Sequence, residues 1–119
     1  MTTSEIAHRL GQLCNEHQFE KAQKELFAID ALSIEPHESA SFDKETKGLE
    51  AILEKGKKFN ELVGEITNCK VSEPLISGNA IAIKFNMEVK AKNGKQMPMS
   101  EIGVYEVKDG QIISERFFV

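Results

Sequence analysis

The chain has 119 residues, of which 40% are hydrophobic and 29% charged, and its net charge is −4. This balance is typical of one globular domain, spanning residues 1–119, that can bury a core without a disulfide or a metal. The chain has no basic stripe, no apolar run of about 18 residues and no signal-peptide pattern, so neither a nucleic-acid nor a membrane partner is expected, and the expected location is cytoplasmic.

The N-terminal third of the chain predicts two helices and a short strand. Residues 2–5 form a capping-box pattern, and apolar residues then recur at helical spacing to about residue 16. A second, short helix is indicated by further residues at this spacing, namely Phe19, Ala22, Leu26 and Ile29. Residues 31–35 are typical of a strand that stops at Pro36, and residues 37–47 of an exposed loop.

A third helix is predicted to follow Gly48. Six residues share one stripe of this helix, namely Leu49, Ile52, Leu53, Gly56, Phe59 and Val63. Glu54 and Lys58 lie on the opposite face as an i,i+4 pair. Gly56 lies inside the stripe, where a close approach of the helix to a sheet would account for it.

From residue 65 onward the chain has the pattern of strands. An extended run over residues 65–76 is broken at Pro74 and followed by a turn at Gly78-Asn79. Three longer strands are predicted over residues 80–92, 95–108 and 111–119, joined by turns at Asn93-Gly94 and Asp109-Gly110. Helices followed by a meander of strands indicate an α+β fold, with three N-terminal helices packed on a curved antiparallel sheet.

Two-residue loops at both turns would set the register of the last three strands. Phe85 would then lie opposite Ile102, and Val104 opposite Glu115. The predicted inner face, which the helices must cover, consists of Ile81, Ile83, Phe85, Met87, Val89, Ile102, Val104, Ile113, Glu115, Phe117 and Val119. The outer face would carry Tyr105 and Glu101 and would meet water or a second subunit.

Glu115 is the exceptional residue of this predicted inner face. A buried, unpaired carboxylate is unstable, so Glu115 should find a partner or show a raised pKa, which is the usual setting of a general acid or base. Alternatively, Glu115 accepts hydrogen bonds from buried donors and does no chemistry. A bulge near Pro98 or Gly103 would instead turn Glu115 to water and bring Glu101 inside. Glu115 and Glu101 are therefore the candidate catalytic residues.

The run from Glu101 to Phe118 resembles the final hairpin of SnoaL-like proteins, in which a strand, an Asp-Gly turn and an Ile-rich strand end in aromatic residues. Residues 32–36 and 48–52 are similar to the first strand and to the start of the third helix of that family. The resemblance places the chain in the nuclear transport factor 2-like superfamily. It implies a cone-shaped fold, a pocket between the helices and the concave sheet face, and homodimers that pair through the sheet.

The resemblance does not define an activity, because the superfamily includes polyketide cyclases, ketosteroid isomerase, dehydratases, epoxide hydrolases and members without activity. Ketosteroid isomerase combines an Asp base with a protonated Asp and a Tyr. Tyr105, the only tyrosine, falls on the outer face in the predicted register, so no direct copy of that set is expected.

Several further residues are weighed as members of the site. Glu35, at the end of the first strand, is a candidate for the pocket mouth or a solvated strand end, and His37 is either its acid/base partner or a solvated loop residue. Met87, Met97 and Met99 form a soft cluster, either in the core or in an adaptable pocket wall. Cys14 and Cys69 are interpreted as buried hydrophobes. No metal-ligand spacing and no cofactor motif is found.

Three functions are compatible with these patterns. The first is a homodimeric pocket protein that binds a small, mostly apolar molecule, with Glu115 and Glu35 as polar anchors. Its predicted apolar ligand contacts are Phe85, Met87, Ile102, Val104 and Phe117. The second is a cofactor-free acid/base enzyme that uses Glu115 or Glu101 for isomerisation, cyclisation or dehydration of a carbonyl-bearing or polycyclic substrate. The third is an interaction domain whose vestigial pocket is too small for a ligand.

Overall fold

A computed structural model describes residues 1–119 as three helices and a seven-stranded sheet. The helices are α1 (Thr3–Asn15), α2 (Phe19–Leu26) and α3 (Leu49–Leu62). The strands are β1 (Phe27–Ile34), β2 (Glu45–Lys47), β3 (Gly64–Val71), β4 (Leu75–Ser77), β5 (Ala80–Ala91), β6 (Gln96–Lys108) and β7 (Gln111–Phe118). No helix is both long enough and apolar enough to cross a membrane.

The first two helices follow their sequence patterns closely, with one exception. The predicted capping box is confirmed, because Thr2 Oγ1 accepts a hydrogen bond from the Glu5 backbone N–H at 3.1 Å, and Glu5 Oε1 accepts one from the Thr2 backbone N–H at 2.8 Å. The sequence pattern had predicted that the second helix reaches Ile29, but α2 ends at Leu26. Residues 27–34 form β1 instead, in which Ile29 is 85% exposed.

Helix α3 begins after Gly48, as predicted, and buries Ile52 completely. Two of its predicted details are wrong. Glu54 pairs with Lys57 at 3.4 Å, whereas Lys58 donates a hydrogen bond to the backbone carbonyl of Ser41. A Cβ atom on Gly56 would meet no atom within 4 Å, so this glycine does not mark a close approach of the helix to the sheet.

The strands form one curled sheet in the order β2-β1-β7-β6-β5-β3, and β4 pairs with part of β5. Because β2 and β3 are edge strands, the sheet does not close into a barrel. The α+β fold class predicted from the sequence is confirmed. The sheet is mixed rather than antiparallel throughout, because β1 and β7 run parallel. Strand β2, which pairs with β1, lies inside the segment that had been predicted to be a loop.

The turn between β5 and β6 differs from the predicted two-residue loop. The Ala91 backbone N–H donates to the Lys95 carbonyl at 2.8 Å, which leaves a three-residue loop. Gly94 has φ +85°, but Asn93 is not in the positive-φ region that a two-residue type I′ turn requires of both central residues. Phe85 therefore lies opposite Glu101 and not opposite Ile102.

This shift by one residue places every β6 side chain on the face opposite to the predicted one. Ile102 and Val104 lie on the outer face, where Ile102 is 46% exposed, and their predicted inward orientation is wrong. Glu101 and Tyr105 lie on the inner face, so the predicted outward orientation of Tyr105 is also wrong.

A second shift, between β6 and β7, cancels the first for the last strand. The two-residue loop at Asp109-Gly110 is present, with φ +52° and +76°, and Lys108 pairs with Gln111 as predicted. A bulge then follows, because Val107 pairs with Ile112 but Glu106 pairs with Ser114. Glu115 and Phe117 consequently lie on the inner face, as predicted.

The hydrophobic core lies between the helices and the inner face of the sheet. Helix α1 packs against β3 and β5, and α3 packs against β1 and β3. Cys14 on α1 and Cys69 on β3 are both free and buried in this core, which agrees with their interpretation as small hydrophobes.

Candidate functional site

A cavity of about 650 Å³ lies between the helices and the inner face of the sheet. Its lining comes from all three helices, the segment after β1 and strands β1, β3, β5, β6 and β7. Of its 30 lining residues 17 are hydrophobic, and its volume falls within the range of about 300–1,000 Å³ that is usual for small-molecule sites. The cavity is therefore large enough and apolar enough to hold a small organic molecule.

The apolar wall contains part of the predicted ligand-binding set. Phe85, Met87 and Phe117 line the cavity, and the polar candidate Glu35 lines it as well. Ile102 and Val104 do not line it, because the three-residue loop before β6 turns them to the outer face. The sequence interpretation missed several apolar lining residues, namely Phe19, Phe27, Phe42, Val63 and Ile66.

Glu115, on β7, is only 4% exposed and lies directly opposite Tyr105 on β6. Its Oε2 atom accepts a hydrogen bond from Ser33 Oγ at 2.7 Å. Burial raises the pKa of Glu115 to about 7, against the opposing effects of the Ser33 hydrogen bond and the Lys55 charge. The side chain thus has both a partner and a raised pKa, which the sequence analysis had treated as alternatives.

Lys55, on α3, connects this carboxyl group to a second one. Its Nζ atom donates to Ser33 Oγ at 2.7 Å and to Glu35 Oε1 at 2.8 Å. Alternation along β1 aims Ser33 and Glu35 to the same side of the strand. A hydrogen-bonded chain therefore runs from Glu35 through Lys55 and Ser33 to Glu115.

Sequence reasoning missed both Lys55 and Ser33, although each carries a weak signal. Lys55 lies three residues after Ile52 and four before Phe59, so it shares their helix face. Ser33 lies two residues after the buried Ala31 and faces the same side of β1. Polar residues at such inward positions are candidates for buried hydrogen bonds.

Glu101, on β6, also lines the cavity, so the two candidate catalytic carboxyl groups are both inside. Burial raises the pKa of Glu101 to about 7; the charges of Glu35 and Glu115 add to this increase, and Lys55 opposes it. Two carboxyl groups that change protonation near neutral pH thus face one apolar cavity.

Tyr105 is buried in the same wall. Burial and the nearby charge of Glu115 hold its pKa well above the ordinary value, so its phenol stays protonated and can donate a hydrogen bond. Gly103 makes room for the ring, because a Cβ atom at this position would lie 3.0 Å from both Phe85 Cε2 and Tyr105 Oη. Any larger residue at Gly103 would displace one of these two rings.

Other candidate residues have lesser roles. His37 lines the cavity, but the hydrogen-bond partner of Glu35 is Lys55. Cys14 also lines it, and burial raises the pKa of its thiol to about 12, which makes it a poor nucleophile. No group of three or more His, Cys, Asp or Glu side chains is arranged to hold a metal ion.

The model of the SnoaL-like domain family matches residues 1–119. The chain belongs to the SnoaL-like family. The structure of a candidate SnoaL-like polyketide cyclase from Mesorhizobium loti, also described as a carbohydrate phosphatase, shares 31% identity with this SnoaL-like protein. The two chains superpose with a TM-score of 0.90, and the match covers 100% of each. No curated protein matches the sequence.

More distant structures share the fold of this SnoaL-like protein. A nuclear transport factor 2-like protein of unknown function from Burkholderia pseudomallei has 14% identity and a TM-score of 0.80, over 99% of this chain and 91% of its own. Another match is a hypothetical protein with a ketosteroid isomerase-like fold from Catenulispora acidiphila, whose structure is a complex with trimethylamine. It has 14% identity and a TM-score of 0.72, over 99% of this chain and 87% of its own. At such low identity these matches establish the fold alone.

Proposed function

We propose that this SnoaL-like protein binds a small, mostly apolar molecule with a carbonyl group and moves a proton on it without a cofactor. One observation carries the proposal. Glu115, Glu101 and the protonated phenol of Tyr105 all line a single apolar cavity of about 650 Å³.

These side chains suit the removal of a proton from the carbon atom next to a carbonyl. A carboxyl group whose pKa lies near the working pH is an efficient proton carrier, and both glutamates have a pKa of about 7. A neutral phenol can donate a hydrogen bond to the carbonyl oxygen, where negative charge develops as the proton leaves. Isomerisation is the simplest reaction that uses this step, and cyclisation or dehydration can begin with it.

One comparison supports the choice of a carbonyl-bearing substrate. The Mesorhizobium loti relative, with 31% identity over its whole length, is described as a candidate polyketide cyclase. The cavity volume of about 650 Å³ also counts against a vestigial pocket, which would be too small for any ligand.

Deuterium exchange tests the proposed chemistry. A panel of small, apolar ketones with removable protons next to the carbonyl is incubated with the protein in D₂O and followed by proton NMR. We expect at least one ketone to exchange at this carbon. Glu115→Gln and Glu101→Gln should each slow the exchange by about 10²–10⁴-fold, the usual contribution of general acid/base catalysis.

Glu106→Gln is the matched control, because Glu106 is an exposed glutamate on the same strand as Glu101 and Tyr105. It should exchange at the wild-type rate. Native mass spectrometry of the gently purified protein identifies a bound molecule independently. A reproducible adduct combined with no exchange of any ketone would reject the enzymatic proposal in favour of a binding protein.

We further propose that two copies pair through the outer face of the sheet, as the family resemblance suggests. Ile102 and Phe118 are neighbours across β6 and β7 on that face, and they are 46% and 49% exposed. A second copy would cover this apolar pair.

Cytoplasmic residence is likewise a prediction.

A further inference from the structure

Ser33 and Lys55 form a buried connection that ligand binding alone does not require. Ser33 is fully buried and does not line the cavity, yet it hydrogen-bonds both Lys55 and Glu115. Lys55 reaches it from α3, while Ser33 lies on β1 and Glu115 on β7. Three separate elements thus meet at one serine hydroxyl.

The direction of these hydrogen bonds follows from the donors available. A lysine ammonium group can only donate, so Ser33 Oγ must accept from Lys55 Nζ at 2.7 Å. The single hydroxyl proton of Ser33 is then free to point at Glu115 Oε2, also 2.7 Å away. A hydrogen bond donated to a carboxylate favours its ionised form.

The other charged or titratable groups near Glu115 do not provide this support. Tyr105 and Glu101 reach toward it from β6, Glu35 from the residue that follows β1, and Cys14 from α1. Each of these side chains is neutral when protonated and negative when deprotonated, so none can supply a positive charge near Glu115. Lys55 is therefore the positive group that supports an ionised Glu115, in part through its charge and in part through Ser33.

Glu101 lies in a different setting. It lies opposite the apolar ring of Phe85 on β5, and the carboxylates Glu35 and Glu115 raise its pKa. The Lys55 charge opposes them, but Lys55 Nζ donates its hydrogen bonds to Ser33 and Glu35 and none to Glu101. No serine hydroxyl orients it as Ser33 orients Glu115. An ionised Glu115 further disfavours the loss of a proton from Glu101, because like charges repel in a poorly solvated cavity.

We propose that Lys55, acting through Ser33, is a positioning residue that keeps Glu115 as the carboxylate of the pair and leaves the proton on Glu101. This inference rests on the proposed function and assigns its two roles. Glu115 takes a proton from the substrate carbon, and Glu101 gives a hydrogen bond or a proton to the substrate oxygen. Catalysis then requires an ionised Glu115 and a protonated Glu101 at the same pH.

Side-chain carbon NMR tests the assignment without any substrate. Glutamate is labelled with ¹³C at Cδ, the two signals are identified with Glu115→Gln and Glu101→Gln, and both are followed from pH 4 to pH 9. In the wild-type protein we expect Glu115 to release its proton at a lower pH than Glu101. Ser33→Ala should raise the midpoint of Glu115 by about one pH unit, a tenfold change in its ionisation constant, and remove or reverse the order.

Further variants separate this role from a merely structural one. Ser33→Thr keeps the hydroxyl and should restore the wild-type order. Lys55→Met should raise the midpoint of Glu115 as Ser33→Ala does. Lys24→Met is the matched control, because Lys24 also pairs with a glutamate at 2.8 Å but on the exposed face of α2, and it should change neither midpoint.

The inference is overturned if Glu101 releases its proton first in the wild-type protein, or if Ser33→Ala leaves the Glu115 midpoint unchanged. Its failure is distinguishable from failure of the proposed function. The expected order of titration without deuterium exchange of any ketone would reject the function and keep the assignment. Deuterium exchange of a ketone, together with release of the Glu101 proton before the Glu115 proton, would keep the function and reject the assignment.

Discussion

Glu35, Glu101 and Glu115 line the same cavity as Lys55, and only Glu35 forms an ion pair with this lysine. Glu35 is paired with Lys55 at 2.8 Å, and both are partly open to solvent. Glu115 and Glu101 have no basic partner of their own, and burial raises the pKa of each to about 7. Loss of either proton therefore costs folding free energy, because a negative charge is poorly solvated at a buried site.

The raised pKa of Glu115 predicts that stability falls as the pH rises from about 4.5 to about 7. Within this window the folded protein keeps the Glu115 proton, whereas the unfolded chain has already released it, so raising the pH favours unfolding. The change from 4.5 to about 7 corresponds to roughly 3 kcal/mol at most. Glu115→Gln removes this ionisation, so its free energy of unfolding should depend less on pH than that of the wild type.

Urea unfolding at pH 5 and pH 8 measures this difference. The Glu115→Gln variant should be more stable than the wild-type protein at pH 8, and the difference should shrink or vanish at pH 5. Glu106→Gln, on the exposed outer side of β6, serves as the control and should follow the wild type. A Glu115→Gln variant with the full wild-type pH dependence would contradict the prediction.

At the scale of single elements, two Xaa-Gly turns with similar sequences fold differently. Asp109-Gly110 has both residues at positive φ, so it forms a two-residue loop. Asn93-Gly94 has only its glycine at positive φ, so it belongs to a three-residue loop. Both loops are ordinary hairpin connections, and the dipeptide alone does not choose between them.

The conformation of Asp109 leads to a prediction for the second hairpin. At φ +52° an alanine is strained, whereas glycine adopts this region freely. Asp109→Ala should therefore lower the free energy of unfolding by about 1 kcal/mol relative to Asp109→Gly. Because both variants lack the carboxylate, their comparison isolates the backbone effect. Urea unfolding measures the difference, and equal stability of the two variants would show that this turn is not constrained as described.

The alternation of residues along β6 does not predict which of its side chains face the helices. Its two faces are both mixed, since Ile102 and Val104 alternate with Glu101, Gly103 and Tyr105. A strand of this kind has no strong preference for either face, and the loop before it sets the register. The orientation of Glu115 was predicted correctly only because the bulge between β6 and β7 reversed the first shift.

For the whole molecule, the curl of the sheet separates two different surfaces. The concave face carries the cavity, and the outer face exposes Ile102 beside Phe118. A stable interface usually buries about 800 Å² on each partner, and a seven-stranded sheet offers a surface of the right kind.

The proposed homodimer gives a prediction for this outer surface. We expect the wild-type protein of 13.3 kDa to sediment as a dimer and Ile102→Arg to sediment as a monomer, because a charge buried in an apolar interface is costly. Leu62→Arg is the control, since Leu62 is also exposed but lies at the end of α3. A monomeric wild-type protein, or a dimer that survives Ile102→Arg, would exclude this interface.

The sequence by itself determined the features that depend on neighbouring residues. The capping box placed the start of α1, the helical spacing of apolar residues placed α3, and the strand pattern with its turns defined the α+β class. Only the tertiary structure decided the site. Ser33 and Glu115 are 82 positions apart, and Lys55 and Ser33 are 22 apart, so their hydrogen bonds exist only once β1, β7 and α3 have packed together. Packing also creates the burial that raises the pKa of Glu115 and Glu101, and no local pattern of residues encodes it.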